Sequence, residues 1–539
     1  MVPLLSDVAV WLLGPEAPRE GRSDHLWSRW IFLRALGFIY FSAFYALLFQ
    51  IKGLIGPDGL LPAGDYLQAV AQTFPGSKYD FAPTLFWLGS SDRALMVVVW
   101  LGLIASILVF LNLWPRTSLL ICFACFVSFV SAAQDFSSYQ SDGMLLEAGF
   151  ICLFFAPPGV RPGLGRTHPA SRASLFLLRW EWFRIYFESG VAKWKGGDPS
   201  WRNFTAMDQY YQNGPLPTWI GWYAQHLPHW FHASTVALTL SVELLLVWMV
   251  FLPRRVRIAC FCIVTPFEMG IIFTANYAFL NYIVLSLGFL LLDDRIIEWI
   301  VPAKWRAFVD PPAAATPPVE DSRAKWRTRL APVRMMFAGL CFALVFYVTT
   351  EKLLDELFPR GQFTPGPVAD SIEQLRIADD YHLFGTMTAE RREIEFQGTT
   401  DGKTWTPYKF RYKPQDMNQP PGIYAPYQPR FDWNLWFASL GSWPQYRFVV
   451  WTEERLLRND ASVVALFAGN PFAGAPPVRV RSVLYQYWFT DMKTKRETGL
   501  WWHRELLGEY APSLEREPDG SVEMLPITNM PFQDDSNTP

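Results

Sequence analysis

One apolar stretch of the chain, residues 175–195, has the length of a membrane-spanning helix yet carries Arg179, Glu181, Arg184, Glu188 and Lys193. On a helix of 3.6 residues per turn, Glu181, Arg184 and Glu188 lie at i, i+3 and i+7 and share one narrow arc. A charge at bilayer depth costs a few kcal/mol or more, so such an arc faces a protein interior or a wet cavity rather than lipid. Any fold for this chain must give that arc something to face. Lys193 lies about 120° round the helix from Glu181 and near its end, so it need not belong to the same stripe.

The charged helix sits within a series of apolar runs, at about 30–51, 94–113, 117–134, 143–156, 175–195, 233–252, 256–275, 277–292 and 335–350. Nine spans are expected, with seven to nine compatible with run lengths, because the fourth, eighth and ninth are short for a hydrocarbon core of about 30 Å. Loop 157–173 holds Arg161, Arg166 and Arg172 without an acid, loop 253–257 holds Arg254, Arg255 and Arg257, and 293–334 carries eight Lys and Arg. Loops 135–142 and 275–277 carry none. The positive-inside rule then places the N-terminus and the basic loops in the cytoplasm and 351–539 outside it. The expected divisions are an N-terminal cytoplasmic or interfacial segment 1–28, a helical membrane domain 29–350 containing a cytoplasmic linker 293–334, and an extracytoplasmic domain 351–539. No cleavable signal peptide is evident, because the short apolar run near the start is followed by charged PEAPREGRSDHLWSR.

Beyond 351 the chain turns polar and alternates like strands. EIEFQGTTDGKTWTPYKFRYK reads as a hairpin across Asp401-Gly402. Further strands are expected at 382–387, 446–451 and 477–489, and helices near 432–440, 452–458 and 461–467. The fold class is therefore a polytopic α-helical membrane protein followed by a soluble β-sandwich-like domain with inserted helices.

The net charge of −2 excludes a bulk basic field of the kind that binds nucleic acid. All six cysteines (Cys122, Cys125, Cys152, Cys260, Cys262, Cys341) fall inside apolar runs, so even the CxxC spacing at 122–125 reads as packing thiols. No phosphate-binding glycine loop, nucleophile elbow or HExxH is present. In the polar domain, Arg391-Arg392 and Asp432 read as solvated or salt-bridged surface, and its tryptophans chiefly as core. Further acids sit in or beside apolar runs: Glu147, Glu243 and Glu268 within them, and Asp142 as an expected helix N-cap. With Glu181, Arg184 and Glu188 they form a candidate intramembrane polar network. The aromatic outer loop 196–232 adds Trp201, Asp208, His226, His229 and His232. Pro228 interrupts the helix among these histidines, so hydrogen bonding at the interface is expected of them and no metal.

The run FRIYFESGVAKWKGGDPSWRNFTAMDQYYQNGPLP, with LLEAGF before it and HLPHWFH, NYAFLNYIVLSLGFLLLDD, YHLFGTMTAERREIEFQGTTDG, YAPYQPRFDWNLWFASL and PPVRVRSVLYQYWFT after it, resembles the lipase maturation factor family. The similarity covers essentially the whole chain after residue 28. It implies a membrane-anchored factor needed for secreted lipases to reach a folded, active state, with its C-terminal domain on the lumenal side. Here Arg outnumbers Lys 35 to 12 and the linker DPPAAATPP is rich in Ala and Pro. These features favour a bacterial cytoplasmic membrane with a periplasmic C-terminal domain over the endoplasmic reticulum. YFESGVAKWKGGDPSW is also similar, more distantly, to a helix end in the vitamin K-dependent carboxylase, whose aromatic-Phe-x-x-Gly-Val-x-Lys pattern puts its lysine on Lys193. That likeness implies a base acting on a reduced quinone.

Three functional readings follow. The first is a maturation or folding factor whose partners are the bilayer and a secreted lipase-like client. The second is a membrane enzyme acting on a lipid-like or quinone-like molecule with Lys193 as its base, against which stands a Lys193 that snorkels to the outer interface. The third is a transporter, resting only on the scattered acids. The residues identify no cofactor, and the soluble domain carries no recognisable catalytic motif.

Overall fold

The computed structural model describes residues 12–13, 25–137, 139–309, 324–358 and 372–528. Most of segment 1–28, the core of the 308–322 linker and the 361–370 stretch expected to open the outer domain lie outside them.

Among the described residues, a helix occupies each of the nine apolar runs. They are α1 (Leu26–Ile55), α2 (Asp92–Phe110), α3 (Pro115–Ala132), α4 (Gln140–Phe155), α5 (Arg172–Lys195), α6 (His229–Leu244, continued by a 3-10 turn to Phe251), α7 (Arg254–Thr274), α8 (Leu280–Gly288, continued to Leu291) and α9 (Ala324–Leu357). Six of these are long and apolar enough to cross a membrane: α1, α2, α3, α6 with its extension, α7, and α9 from Pro332 onward. The other three are α4, α5 and α8. Helix α4 is only 16 residues long and buries nearly every side chain from Ser141 to Cys152, so it is a central helix that meets protein all round. Helix α5 opens on Ser171, whose hydroxyl accepts the Ser174 amide at 3.2 Å, an ordinary N-cap.

The C-terminal region is built on one antiparallel sheet. Its strands are β1 (Arg391–Thr399), β2 (Thr406–Pro407), β3 (Arg479–Phe489), β4 (Trp502–Glu509), β5 (Leu514–Arg516) and β6 (Val522–Met524). β3 is central: β1 runs along one edge, with Arg391 opposite Tyr487 and Thr399 opposite Arg479. β4 and β5 share the other edge. The hairpin across Asp401-Gly402 is present, with Gln397 opposite Pro407. The Asp401 carboxylate accepts the Lys403 and Thr404 amides at 2.8 and 2.7 Å, which holds it well below the usual carboxylate range.

The layer against this sheet is helical, where a sandwich would place a second sheet. Helices α10 (Arg430–Ser439) and α11 (Phe448–Leu457) pack on β1, β3 and β5. The stretch 446–451, expected as a strand from its aromatic and β-branched residues, instead leads into α11. Phe448, Val449, Thr452, Leu456 and Leu457 bury one helical face there, and burial overrides local β propensity. The stretch 382–387 is not a strand either. Asp432 is not surface: it is buried in α10 and accepts the Lys413 and Tyr412 amides at 3.2 and 3.3 Å. Arg391 is also fully buried, paired with Glu393 and bonded to the carbonyls of Gln212, Gly214 and Pro215 in the outer loop.

The two regions share one hydrophobic core. Asp142, expected as an N-cap, lies inside the first turn of α4, and Tyr139 holds the cap position. Its carboxylate receives both guanidinium arms of Arg430 at 2.8 Å, and all partners are buried. Removing one partner of such a pair strands a charge. Arg430→Met is expected to cost about 3–5 kcal/mol, read as a lower melting midpoint in detergent and faster proteolysis of the C-terminal region. The double variant Asp142→Asn/Arg430→Met should recover part of the loss.

Burial pushes the Asp432 carboxyl from 3.8 to about 6. Between those values the folded protein holds a proton that the unfolded chain has released, so stability falls as pH rises from about 4 to about 6. The expected effect is on the order of 3 kcal/mol. Asp432→Asn should flatten that part of a melting-midpoint profile against pH.

Candidate functional site: a polar edge on α5 and the cavity beside it

The charged arc of α5 meets protein throughout. Arg184 is fully buried and donates to Glu147 of α4 and, at 2.5 Å, to the backbone carbonyl of Asp379. Glu188, one turn on, lies 3.8 Å from Arg184 and accepts the Tyr381 amide at 2.9 Å. The Tyr381 hydroxyl donates to Glu147 at 2.9 Å, and its ring faces the Arg184 guanidinium at 5.1 Å. Glu181 is fully buried beside them, and neither of its carboxyl oxygens finds a hydrogen-bond partner. Arg184, Glu188 and Glu147 thus form an ion-paired network joining α4, α5 and the segment after α9, with Glu181 packed beside it.

That segment explains why 382–387 is no strand. From Asp379 to Thr388 its backbone groups bond to side chains of the membrane domain instead of a neighbouring strand. Besides the contacts above, the Leu383 amide donates to Ser189 at 3.2 Å. The Leu383 carbonyl accepts from Lys193 at 2.7 Å, and the Phe384 carbonyl from the Trp201 indole at 3.1 Å. The Met387 amide donates to Asp198 at 2.6 Å, and the Thr388 carbonyl accepts from Asn213 at 2.8 Å. A buried backbone must be paired somewhere. Gly143 makes room for the segment, since a Cβ there would stand 1.6 Å from the Asp379 carboxylate.

Lys193 is buried and does not snorkel outward. Its Nζ donates to Glu243 of α6 at 2.9 Å and to Leu383 at 2.7 Å, with the Ser189 carbonyl at 3.5 Å and the Trp201 ring at 5.2 Å. Three acceptors match the three protons of an ammonium. Gly190 permits this pairing: a Cβ there would lie 2.8 Å from that of Glu243, so no larger residue lets α6 approach so closely.

The Lys193–Glu243 pair forms part of the wall of a cavity of about 300 Å³ bounded by α5, α6, α7, α8, the 196–232 loop and the segment at Leu383 and Phe384. Glu268 of α7 lines it too, accepting the Tyr186 hydroxyl at 2.5 Å and the Asn281 amide at 2.6 Å. The expected network therefore divides in two. Glu147, Glu181, Arg184 and Glu188 form a packed interior, while Lys193, Glu243 and Glu268 stand around a cavity.

The outer-loop residues do not converge. Asp208 pairs with His229 at 3.0 Å on the surface. His226 sits between the carbonyls of Trp222 and Thr490, at 2.7 and 3.0 Å, and ties the outer loop to the C-terminal region. His232 is buried against Tyr211, with ring centroids 5.8 Å apart. Among the described residues, no three His, Cys, Asp or Glu side chains gather as metal ligands would. The sequence reading missed Tyr186, Asn281, Asp379 and Tyr381. Tyr186 lies on α5 between Glu181 and Glu188, and its phenol was open to notice. Asp379 and Tyr381 act from an irregular segment without periodicity.

Two family models match the chain in order: the lipase maturation factor transmembrane domain over residues 27–299 and the lipase maturation factor C-terminal domain over 377–512. Lipase maturation factor 1 of Bos taurus is 31% identical over 517 residues, covering 93% of this chain and 91% of that protein. Lipase maturation factor 1 of Homo sapiens is 30% identical, covering 93% and 92%, and lipase maturation factor 2 of Rattus norvegicus is 29% identical, covering 90% and 82%. The chain belongs to the lipase maturation factor family. No solved structure matches it.

Arg184→Leu would leave Glu147 and Glu188 buried without their cation. The expected result is a loss of about 3–5 kcal/mol and faster proteolytic release of the region after 372. Tyr381→Phe, which removes only one hydroxyl, should cost about 1–2 kcal/mol by the same melting measurement.

Proposed function

We propose that this protein is a membrane-embedded maturation factor for a secreted lipase-class client, working from a bacterial cytoplasmic membrane with residues 351–539 on the outer side. The observation that carries the reading is the ordered match of both domains to relatives that bear this function in their names.

The distribution of loops supports the sidedness. Arg29 bonds to the carbonyls of Leu164 and His168, Arg116 to that of Ala156, and Arg254 pairs with Asp293. The basic loops therefore gather at one end of the bundle. The C-terminal region caps the other end, with the outer loop 196–232, through the contacts of Arg391, Asn213 and His226. The proposed division into 29–350 and 351–539 follows the same two ends, and the surface for a client is then the capped end.

The cavity beside Lys193 favours a second reading, chemistry on a lipid-like or quinone-like molecule. A base needs a free lone pair, however, and Lys193 donates to two close acceptors with a third in reach.

One experiment separates the readings. In a host lacking this protein, the secreted lipase should reach the medium with at least tenfold lower activity per molecule, and the full chain should restore it. Unchanged lipase activity would sink the proposal. The variant Lys193→Met/Glu243→Met, which strands no charge, should still restore activity, and its failure while folded would favour the base.

A further inference from the structure

The cavity has three properties that together define a ligand. Its walls are chiefly apolar. Its mouth opens sideways between α6 and α7. Helix α7 packs on α8, on the turn 246–251 and on the short helix Trp219–Gln225 rather than along α6. Leu238, Pro266 and Gly270, which line the cavity, are exposed on that side, and a Cβ at Gly270 would meet nothing within 4 Å. On a bundle that spans a membrane, this is a lateral entrance from the bilayer.

The third property is an unsatisfied acceptor. Glu243 is buried and lines the cavity, and while Oε1 takes the Lys193 ammonium, Oε2 has no partner. Such an oxygen costs free energy until a donor reaches it. Glu268, the other acid of the wall, is already satisfied by Tyr186 and Asn281. A ligand that completes the site brings a hydrogen-bond donor on an apolar body. Fatty acids and anionic phospholipids place negative charge beside two carboxyl groups. Esters and oxidised quinones carry acceptors alone and leave Oε2 unpaired, and Lys193 already has its acceptors.

We propose that this cavity is a binding site for a neutral membrane lipid bearing a free hydroxyl, of the monoacylglycerol or diacylglycerol kind, which enters between α6 and α7 and donates its O–H to Glu243 Oε2. The inference stands apart from the lipase client, because binding is measured on the purified protein alone.

The test uses the full chain in delipidated detergent micelles and a photoactivatable monoacylglycerol, with the matched fatty acid and its methyl ester as comparison probes. The monoacylglycerol should label peptides spanning 235–239 or 266–271, be displaced by excess unlabelled monoacylglycerol, and exceed both comparison probes at least tenfold. Gly270→Trp, which fills the mouth where nothing crowds it, should reduce labelling at least tenfold at an unchanged melting midpoint. Leu238→Trp serves as a second block on the facing helix. Equal labelling by the methyl ester or the fatty acid overturns the proposal. So does labelling that persists in both folded variants.

Discussion

Arg184 is the charge on which the rest of the structure turns. A guanidinium buried in the middle of a membrane bundle holds its position only while acceptors surround it. Glu147, Glu188, the Asp379 carbonyl and the Tyr381 ring supply that surrounding from three separate parts of the chain. Helix α5 is therefore locked to α4 and to the segment that follows α9. The Asp142–Arg430 pair and the Arg391 contacts extend the same arrangement to the C-terminal sheet and its helices. The helical membrane domain and the C-terminal region therefore stabilise each other.

Much of this was legible beforehand, and the reasons differ by element. Periodicity and run length placed a helix in each of the nine apolar runs, although among the described residues six, rather than the expected nine, are long and apolar enough to cross a membrane. The stripe Glu181, Arg184, Glu188 announced a buried network, because helical geometry alone puts those side chains on one face. The Asp401-Gly402 hairpin followed from turn chemistry. The partner of the stripe was hidden, because residues 379–388 adopt neither helix nor strand and take their hydrogen bonds from distant side chains. Their resemblance to a strand was local composition without a neighbouring strand to pair with.

Lys193 shows the same limit from another side. Helical arithmetic separated it from the stripe, and the structure keeps it apart from Arg184. What the arithmetic lacked was Gly190, whose missing side chain lets α6 bring Glu243 within reach. A lysine read either as a base or as a cation snorkelling to the interface becomes a buried donor beside a cavity. Asp142 and Asp432 changed roles in the same direction, from local or surface acids to buried acceptors, since tertiary partners decide where a carboxylate is tolerated.

The dependence of α5 on residues 379–388 also sets an order for assembly. All nine helices are synthesised before Tyr381 and Leu383. Until those residues arrive, Glu188 lacks its amide donor and Lys193 lacks one of its two close acceptors. A chain that stops short of them is left with a half-paired helix in lipid. The late segment thus completes the pairing of the membrane domain, which stays half-satisfied until the chain has grown past Leu383.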